Sequence, residues 1–432
     1  MKKAAGIGRF RRLSSVCGRG LLSLLLAACL LLSGCGGLFS SKTVILDPSA
    51  PQDTSTPPED LKLRVRKISA IETADMLDGA VEIDCAWDEQ EPEKLLILAE
   101  NDARSITVIR VDCETGFYET LYTFSSDGLF FAALAPGGRY LVYGYFPTEE
   151  AKGRFVSCDL VTLEQDTFYP QGLDIAWTEY GGNGISSAQS SAGLMFCWSR
   201  NGERLAVWSA FPGSETVVLY KPGSRALQAA FIPQLSHVWD VGSNSDSLIF
   251  SLYKESEDYG SPRVRLGQWR DGCFLEASLL LPSSAFWLMF DPQDNLLFNL
   301  YHTLYWVDKA VYPDETFADP LLEEDAGVVD IPAMNELGSY LPFTKSVDTI
   351  AWEGKQYIAY TAYTAYAEDY ESWEWEKMDR NVYMAQLENG VLVNRHLIYK
   401  AGMDSSRLML SPDASRVLVQ TDDGQKIVLD LE

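Results

Sequence analysis

The chain has 432 residues, of which 47% are hydrophobic and 12% aromatic, so it is long enough to bury an extensive core. Its formal net charge of −26 gives a surface that repels the phosphates of nucleic acids and the headgroups of anionic lipids. These properties exclude a nucleic-acid-binding protein and a protein held on a membrane by basic residues.

The N-terminus has the pattern of an export signal. Basic residues precede Leu21–Leu32, an apolar segment that is too short to span a bilayer as a helix. The next residues, Leu32-Ser33-Gly34-Cys35, resemble the lipobox of bacterial lipoproteins. In that family the signal is cut before the cysteine, whose thiol receives a diacylglyceryl group. The resemblance implies that residues 1–34 are a signal peptide and that Cys35 is lipidated; an ordinary cleaved signal with an incidental cysteine is the alternative.

The charge of the processed chain constrains how it is held at the membrane. Removal of residues 1–34 takes six basic residues and no acidic one from a net charge of −26, which leaves −32. Attachment would therefore depend on covalent lipid, and two or more acyl chains hold a protein firmly. Residues 35–60 are rich in Gly, Ser, Thr and Pro, so we expect a flexible tether before a domain at 61–432.

A unit of apolar strand, tight turn and apolar strand recurs through the rest of the chain. The C-terminal copy, from Arg407 to Glu432, has the turn Ser411-Pro412-Asp413-Ala414 and a third strand that ends at Leu431. Six looser copies precede it, at residues 83–98, 129–146, 194–211, 237–253, 285–301 and 349–363. Successive copies lie roughly 45 to 65 residues apart, with no amphipathic helical pattern between them, which is typical of four-stranded propeller blades.

The sequence therefore predicts an all-β fold, a β-propeller of seven four-stranded blades. The last repeat supplies only three strands, and an open blade would expose a sheet edge. Leu61 to Lys67 alternates apolar and basic residues, so we expect this N-terminal strand to close the last blade. The fourth and sixth copies lack the turn proline, and the degeneracy of the repeats leaves six and eight blades open as alternatives.

Three turns carry a more specific resemblance. Leu410-Ser411-Pro412-Asp413, Trp198-Ser199-Arg200-Asn201-Gly202 and Ala135-Pro136-Gly137-Gly138 are similar to the turn signature of TolB-type β-propellers, a WD-repeat-like group found in cell envelopes. The resemblance implies an envelope protein with a propeller fold.

The reactive side chains follow no known catalytic or metal-binding pattern. The three histidines fall in no metal-ligand spacing, and no G-x-S-x-G elbow or phosphate-binding glycine loop is present. We therefore predict no catalytic residue, no metal and no cofactor. The cysteines beyond Cys35 are odd in number and widely spaced, which argues against a disulfide framework but leaves one disulfide open. Cys85 and Cys197, at nearly equivalent repeat positions, are predicted core residues.

One segment stands out as a candidate ligand site. Tyr357 to Asp379 reads as a strand that runs into a long loop, where acidic residues alternate with aromatic ones. Aromatic faces beside carboxylates can stack on sugar rings or hold a cationic peptide. The candidate binding residues are Asp369, Tyr370, Trp373, Glu374 and Trp375. The alternative is a solvated loop whose tryptophans cover the edge of the propeller. A second long insertion, Tyr312 to Tyr340, is also a candidate functional loop.

We expect a monomeric, lipid-anchored, extracytoplasmic propeller that binds an envelope protein or a cell-wall glycan with its loop face. The alternative from another class is an envelope hydrolase or lyase with carboxylates in the central channel. A third interpretation is an accessory sensor for a neighbouring transporter or signalling system.

Overall fold

A computed structural model gives the structure of the chain. The described residues are 64–71, 77, 79–101, 105–125, 127–147, 152–169, 173, 194–209, 215–252, 263–278, 285–300, 303–311, 327–328, 346–363, 380–400, 405–421 and 424–432. The chain divides into two compact units, Met1–Val44 and Ile45–Glu432. The first unit and the predicted lipidation site, Cys35, lie outside the described residues. In the described part of the chain, no helix is long and apolar enough to cross a membrane.

The described residues form 28 β-strands in seven four-stranded sheets, and a short 3-10 helix at Lys309–Val311. In chain order the strands are β1 Val65–Ile71, β2 Val81–Trp87, β3 Lys94–Asn101, β4 Ser105–Asp112, β5 Tyr118–Ser125, β6 Leu129–Leu134, β7 Tyr140–Tyr145, β8 Arg154–Asp159, β9 Gln165–Phe168, β10 Leu194–Trp198, β11 Leu205–Ser209, β12 Thr216–Lys221, β13 Ala226–Phe231 and β14 Leu235–Val241. The second half contains β15 Ser247–Leu252, β16 Arg263–Arg270, β17 Cys273–Ser278, β18 Ala285–Phe290, β19 Leu296–Leu300, β20 Thr303–Val307, β21 Gly327–Val328, β22 Val347–Trp352, β23 Lys355–Tyr363, β24 Arg380–Glu388, β25 Val391–Lys400, β26 Ser405–Leu410, β27 Arg416–Thr421 and β28 Lys426–Leu431.

Each of blades 1 to 6 is an antiparallel sheet of four consecutive strands, beginning with β2 and ending with β25. The first strands of blades 1 and 2, 3 and 4, 4 and 5, and 6 and 7 contact one another, and β2 of blade 1 also contacts β26 of blade 7. Phe131 of β6 packs against Phe196 of β10, and Met289 of β18 lies in one core cluster with Val347 of β22. The sheets therefore form a closed ring with the first strand of every blade innermost. This arrangement confirms the predicted seven-bladed β-propeller.

Blade 7 joins the two ends of the described chain. Its strand order is β26, β27, β28 and β1, and Ile68 of β1 lies opposite Leu429 of β28. The predicted closure is therefore confirmed, although the closing strand begins and ends later than the alternating pattern at residues 61–67 indicated. A register shift between Val65 and Lys67 breaks that alternation, so that Ile68 and Ile71 are the residues buried against the blade.

The turn between the first two strands of a blade is held by its own side chains. In blade 7 the Ser411 hydroxyl donates to Asp413 Oδ1 over 2.7 Å and accepts from the Arg416 N–H. In blade 3 Ser199 makes the same pair of bonds, to Asn201 Oδ1 and from the Arg204 N–H. The two turns thus contain the same hydrogen-bond network, which explains why their sequences are similar.

The fourth strand of several blades was not predicted. In blades 1 and 2 these outer strands are largely exposed and carry polar residues, so they lack the apolar pattern of the inner strands. In blade 3 the outer strand, β13, is mostly apolar, but only one of its residues is buried. In blade 5 the outer strand is only Gly327–Val328, inside the insertion at residues 312–340, of which little else is described.

The five described cysteines are free thiols. Cys85, Cys113 and Cys158 are buried, and burial raises the pKa of Cys85 and of Cys113 to about 12. Cys85 therefore lies in the core as predicted. Cys197 is half-buried and packs against the edge of the core cluster that contains Trp208 and Val238.

Candidate functional site

A cavity of about 790 Å³ occupies the centre of the ring. The inner strands of six blades line it, and blade 5 contributes Pro292 from the turn after β18. Asn201, Asn244 and Pro412, which lie in the turns after other inner strands, also line it, so the cavity reaches the face of the ring where those turns lie. Its volume is within the range of about 300 to 1,000 Å³ that is typical of small-molecule sites.

Aromatic side chains form much of the cavity wall. Phe131 of β6 packs edge-to-face against Phe196 of β10, with ring centroids 4.7 Å apart. Trp198 and Trp239 line the cavity from blades 3 and 4. These rings offer flat apolar surface of the kind that ligand sites use for contact area.

Three of the inner strands contain an aspartate: Asp84 in β2, Asp240 in β14 and Asp348 in β22. In each, Oδ1 accepts a hydrogen bond from the backbone N–H of the following residue, and Oδ2 accepts one from the inner strand of the next blade. The inter-blade distances are 3.1 Å from Leu134 N to Asp84, 2.7 Å from Phe290 N to Asp240 and 2.7 Å from Leu410 N to Asp348. The three carboxylates therefore hold neighbouring blades together at the cavity wall.

Two arginines alternate with these carboxylates. Arg200, in the turn after β10, reaches from blade 3 to blade 6, where its Nη1 lies 2.8 Å from Asp348 Oδ1; its Nε is 3.9 Å from Asp240 Oδ2. Arg407 of β26 places Nη1 3.3 Å from Asp84 Oδ1. The side chains of Arg200 and Arg407 are 29% and 49% exposed, more than any of the three carboxylates they pair with. Each guanidinium group is thus more accessible than the carboxylates it pairs with.

The comparisons with known proteins give no family for this chain. It matches no protein-family model and no curated protein. Solved structures that resemble it include a chain of the mitotic checkpoint complex, at 11% identity and a TM-score of 0.45, with 90% of this chain and 99% of that chain covered. The β-propeller domain of the Trilobed protease from Pyrococcus furiosus, described as having an open velcro topology, is 11% identical, with a TM-score of 0.47 and coverage of 81% and 95%.

The tricorn protease is 9% identical, with a TM-score of 0.48, and 88% of this chain covers 34% of that chain. The chain therefore spans about a third of the length of the tricorn protease chain. The fold is assigned from the strand pairing of this protein itself.

Burial perturbs the acidic groups of the cavity. It raises the pKa of Asp240 to about 6, even though Arg200 and the N–H groups of Phe290 and Val241 favour the charged form. Burial also raises the pKa of Asp348, against the opposing effect of Arg200. Asp240 therefore changes charge at a mildly acidic pH.

We expect the stability of the protein to fall as pH rises from about 4 to about 6, because of Asp240. In this range the native state keeps a proton on Asp240 that the unfolded chain, with an ordinary Asp pKa of about 4, has lost. The stabilisation is full below pH about 4 and is lost above pH about 6, a change of about 2 to 3 kcal/mol. Urea unfolding at a series of pH values measures it.

Two substitutions, a test and its control, show whether Asp240 causes this decline. Asp240→Asn should flatten the decline, while Asp271→Asn, at an exposed turn residue, should leave it unchanged. An equal slope in the wild-type protein and the Asp240→Asn variant contradicts the assignment.

The residues predicted to bind a ligand, Asp369, Tyr370, Trp373, Glu374 and Trp375, lie outside the described residues. The predicted strand before them exists as β23, whose last residue, Tyr363, pairs with Arg380. This pair lies at the opposite end of blade 6 from the turn between β22 and β23. The loop site therefore stays a prediction, and its flanking strands end on the face away from that turn.

The charged residues of the cavity were not predicted from the sequence. Two of them carry a signal, because Asp84 and Asp240 are flanked by apolar residues inside predicted inner strands, as in Trp239-Asp240-Val241. Aspartate is disfavoured in strands, so these two positions were informative, whereas Asp348 precedes the strand that was predicted to begin at Thr349. The described residues contain no cluster of three or more His, Cys, Asp or Glu side chains that could hold a metal ion.

Proposed function

We propose that the protein is a lipid-anchored extracytoplasmic β-propeller of the TolB-like type that acts as a binding or scaffolding module of the cell envelope. Its partner is an envelope protein or a cell-wall glycan, part of which enters the central cavity. The observation that carries this proposal is the cavity itself, with its aromatic walls and accessible guanidinium groups.

The hydrogen bonding of the cavity carboxylates favours binding over catalysis. A general base or nucleophile needs an oxygen that is free to reach the substrate. Both oxygens of Asp84, Asp240 and Asp348 already accept backbone N–H groups, and Arg200 and Arg407 pair with them as well. We infer that these carboxylates maintain the shape of the site.

The location at the membrane is tested through Cys35. The wild-type protein should incorporate a labelled fatty acid. It should also remain in the membrane fraction after a high-salt wash, because salt weakens electrostatic attachment, which the net charge does not offer, and does not release a lipid anchor. Cys35→Ser should abolish the label and release the protein. A Cys35→Ser variant that stays in the washed membranes contradicts lipid anchoring.

The binding role is tested by cross-linking in intact cells followed by capture of the protein, together with a glycan array. Recovery of a specific partner or glycan is expected for the wild-type protein and for Arg225→Ala, which changes an exposed residue outside the cavity. Phe196→Ala, which removes a ring from the cavity wall, should reduce recovery. No partner by either method, or equal recovery by all three proteins, overturns the cavity as the binding site.

The pKa of Asp240 favours a second candidate, an envelope hydrolase or lyase that uses channel carboxylates. A carboxyl group with a pKa of about 6 can donate or accept a proton near neutral pH. This candidate requires turnover by the purified protein on envelope glycans or peptides, and loss of that turnover in Asp240→Asn. Binding without turnover favours the first proposal.

A further inference from the structure

The cavity holds hydrogen-bond donors that have no acceptor within the protein. The indole N–H groups of Trp198 and Trp239 are buried and make no hydrogen bond, and neither does the Nε–H of Arg200, which is 3.9 Å from the nearest carboxylate oxygen. A third cavity tryptophan, Trp87, differs from these because its indole N–H donates to the carbonyl of Met409 over 3.1 Å. Unpaired buried donors cost free energy, so a group that accepts from them would bind favourably.

The aspartate oxygens of the cavity, in contrast to these donors, already have hydrogen-bond partners. Asp84, Asp240 and Asp348 each accept on both oxygens from backbone N–H groups, and these bonds hold the blades together. A ligand that donates hydrogen bonds would have to compete with the fold for these oxygens. A ligand that accepts hydrogen bonds would break none at the two indoles and would meet the partly exposed side chains of Arg200 and Arg407.

From this asymmetry we propose that the cavity binds an organic anion, a carboxylate attached to a flat apolar body. The carboxylate accepts hydrogen bonds from Arg200 and from the indole N–H groups of Trp198 and Trp239. The apolar body lies against the aromatic wall that includes Phe131 and Phe196. Guanidinium groups match carboxylates in geometry and form stronger hydrogen bonds than neutral donors do. This inference rests on the proposed function in that it takes the central cavity as the binding site.

Formal charge alone would favour the opposite ligand, a cation. The cavity wall carries four acidic residues, Asp84, Glu89, Asp240 and Asp348, against two arginines. However, Glu89 is exposed in the turn after β2, and each of the three aspartates is neutralised locally by backbone dipoles and an arginine that is more exposed than the aspartate. The unpaired indole groups are donors and the aspartate oxygens already accept hydrogen bonds, so the cavity wall favours an anion.

The test compares two ligands with the same indole body and opposite charge, indole-3-propionate and tryptamine. In isothermal titration calorimetry with the full-length protein, indole-3-propionate should bind saturably at one site and tryptamine should not bind. Saturable binding of tryptamine with equal or higher affinity overturns the proposal, and so does the absence of saturable binding by indole-3-propionate.

Variants locate the binding in the cavity. Trp239→Phe keeps the ring and removes one unpaired donor, so it should weaken the binding of indole-3-propionate about tenfold. The matched control is Trp208→Phe, because the Trp208 indole is also buried without a hydrogen-bond partner but lies outside the cavity wall. That variant should bind like the wild-type protein. Equal affinity in the wild-type protein and Trp239→Phe, or an equal loss in both variants, contradicts the assignment.

Thr349→Val provides a second cavity variant should Trp239→Phe fail to fold. The Thr349 hydroxyl is buried in the cavity wall and has no hydrogen-bond partner, so its loss should weaken binding of the anion by several-fold. Unchanged affinity in a folded Thr349→Val variant counts against the proposal.

A dipeptide ligand shows whether the carboxylate belongs to a free small molecule or to the C-terminus of a polypeptide. A dipeptide with C-terminal tryptophan should bind with a free carboxylate and not as its amide if a chain end is recognised; if only indole-3-propionate binds, the ligand is a small molecule. Failure of all the anions while cross-linking still recovers a partner refutes this inference and leaves the proposed function standing. Binding of an anion in the cavity without a recovered partner supports this inference and refutes the proposed binding of an envelope partner.

Discussion

Glu82→Ala should destabilise the protein by about 3 to 5 kcal/mol, although it removes a single carboxylate. Lys426 of β28 has no accessible surface, and its Nζ lies 2.6 Å from Glu82 Oε2 of β2. The pair joins blade 7 to blade 1, at the point where the ring closes. Without Glu82 the ammonium group is left buried and unpaired, which costs far more than the loss of an exposed ion pair. Urea unfolding monitored by tryptophan fluorescence measures the change.

A double variant distinguishes an unpaired charge from a general disturbance of the interface. Glu82→Ala combined with Lys426→Met should recover most of the lost stability, because a buried ion pair can often be replaced by apolar groups at little cost. Glu164→Ala is the control, since Glu164 and Arg225 also join two blades, at 3.7 Å, but are exposed. It should change stability by no more than about 0.5 kcal/mol. A double variant as unstable as Glu82→Ala contradicts the explanation.

The inner strands could be predicted from the sequence because each is a short apolar run followed by a turn with a strong local signal. The Ser411 turn is an example, since its side-chain bonds connect residues no more than five positions apart. The closing strand was also predictable, because a blade with three strands needs a fourth. Its bounds were not, because the register shift after Val65 depends on the fit of Ile68 and Ile71 against blade 7.

The cavity could not be predicted in the same way because its contacts join distant parts of the chain. Asp84 accepts from Leu134, 50 residues away, and Arg200 pairs with Asp348, 148 residues away. Both contacts exist only when the ring closes with all its blades in register. Local pattern identified the strands that carry these residues, whereas the role of the residues follows from where the blades meet.

Closure of the ring also brings cavity residues together. Arg407 of blade 7 pairs with Asp84 of blade 1 across the closing interface, and both line the cavity. The Glu82 and Lys426 pair bridges the same two blades. Loss of closure would therefore separate cavity residues as well as exposing a sheet edge, so stability and ligand binding should fail together in variants that open the ring.

Ile68→Asp should open the ring and cost about 5 kcal/mol. Ile68 is buried among Leu429 and other residues of blade 7, so the substitution removes core packing and buries an unpaired carboxylate. Because β1 pairs only with β28, its release would expose the edge of β28, and such an edge recruits other strands. We expect a lower urea midpoint together with a concentration-dependent increase in mass by light scattering. Arg66→Asp, at an exposed residue of the same strand, should leave the protein stable and monomeric. If Ile68→Asp is as stable and monomeric as Arg66→Asp, β1 does not close the propeller.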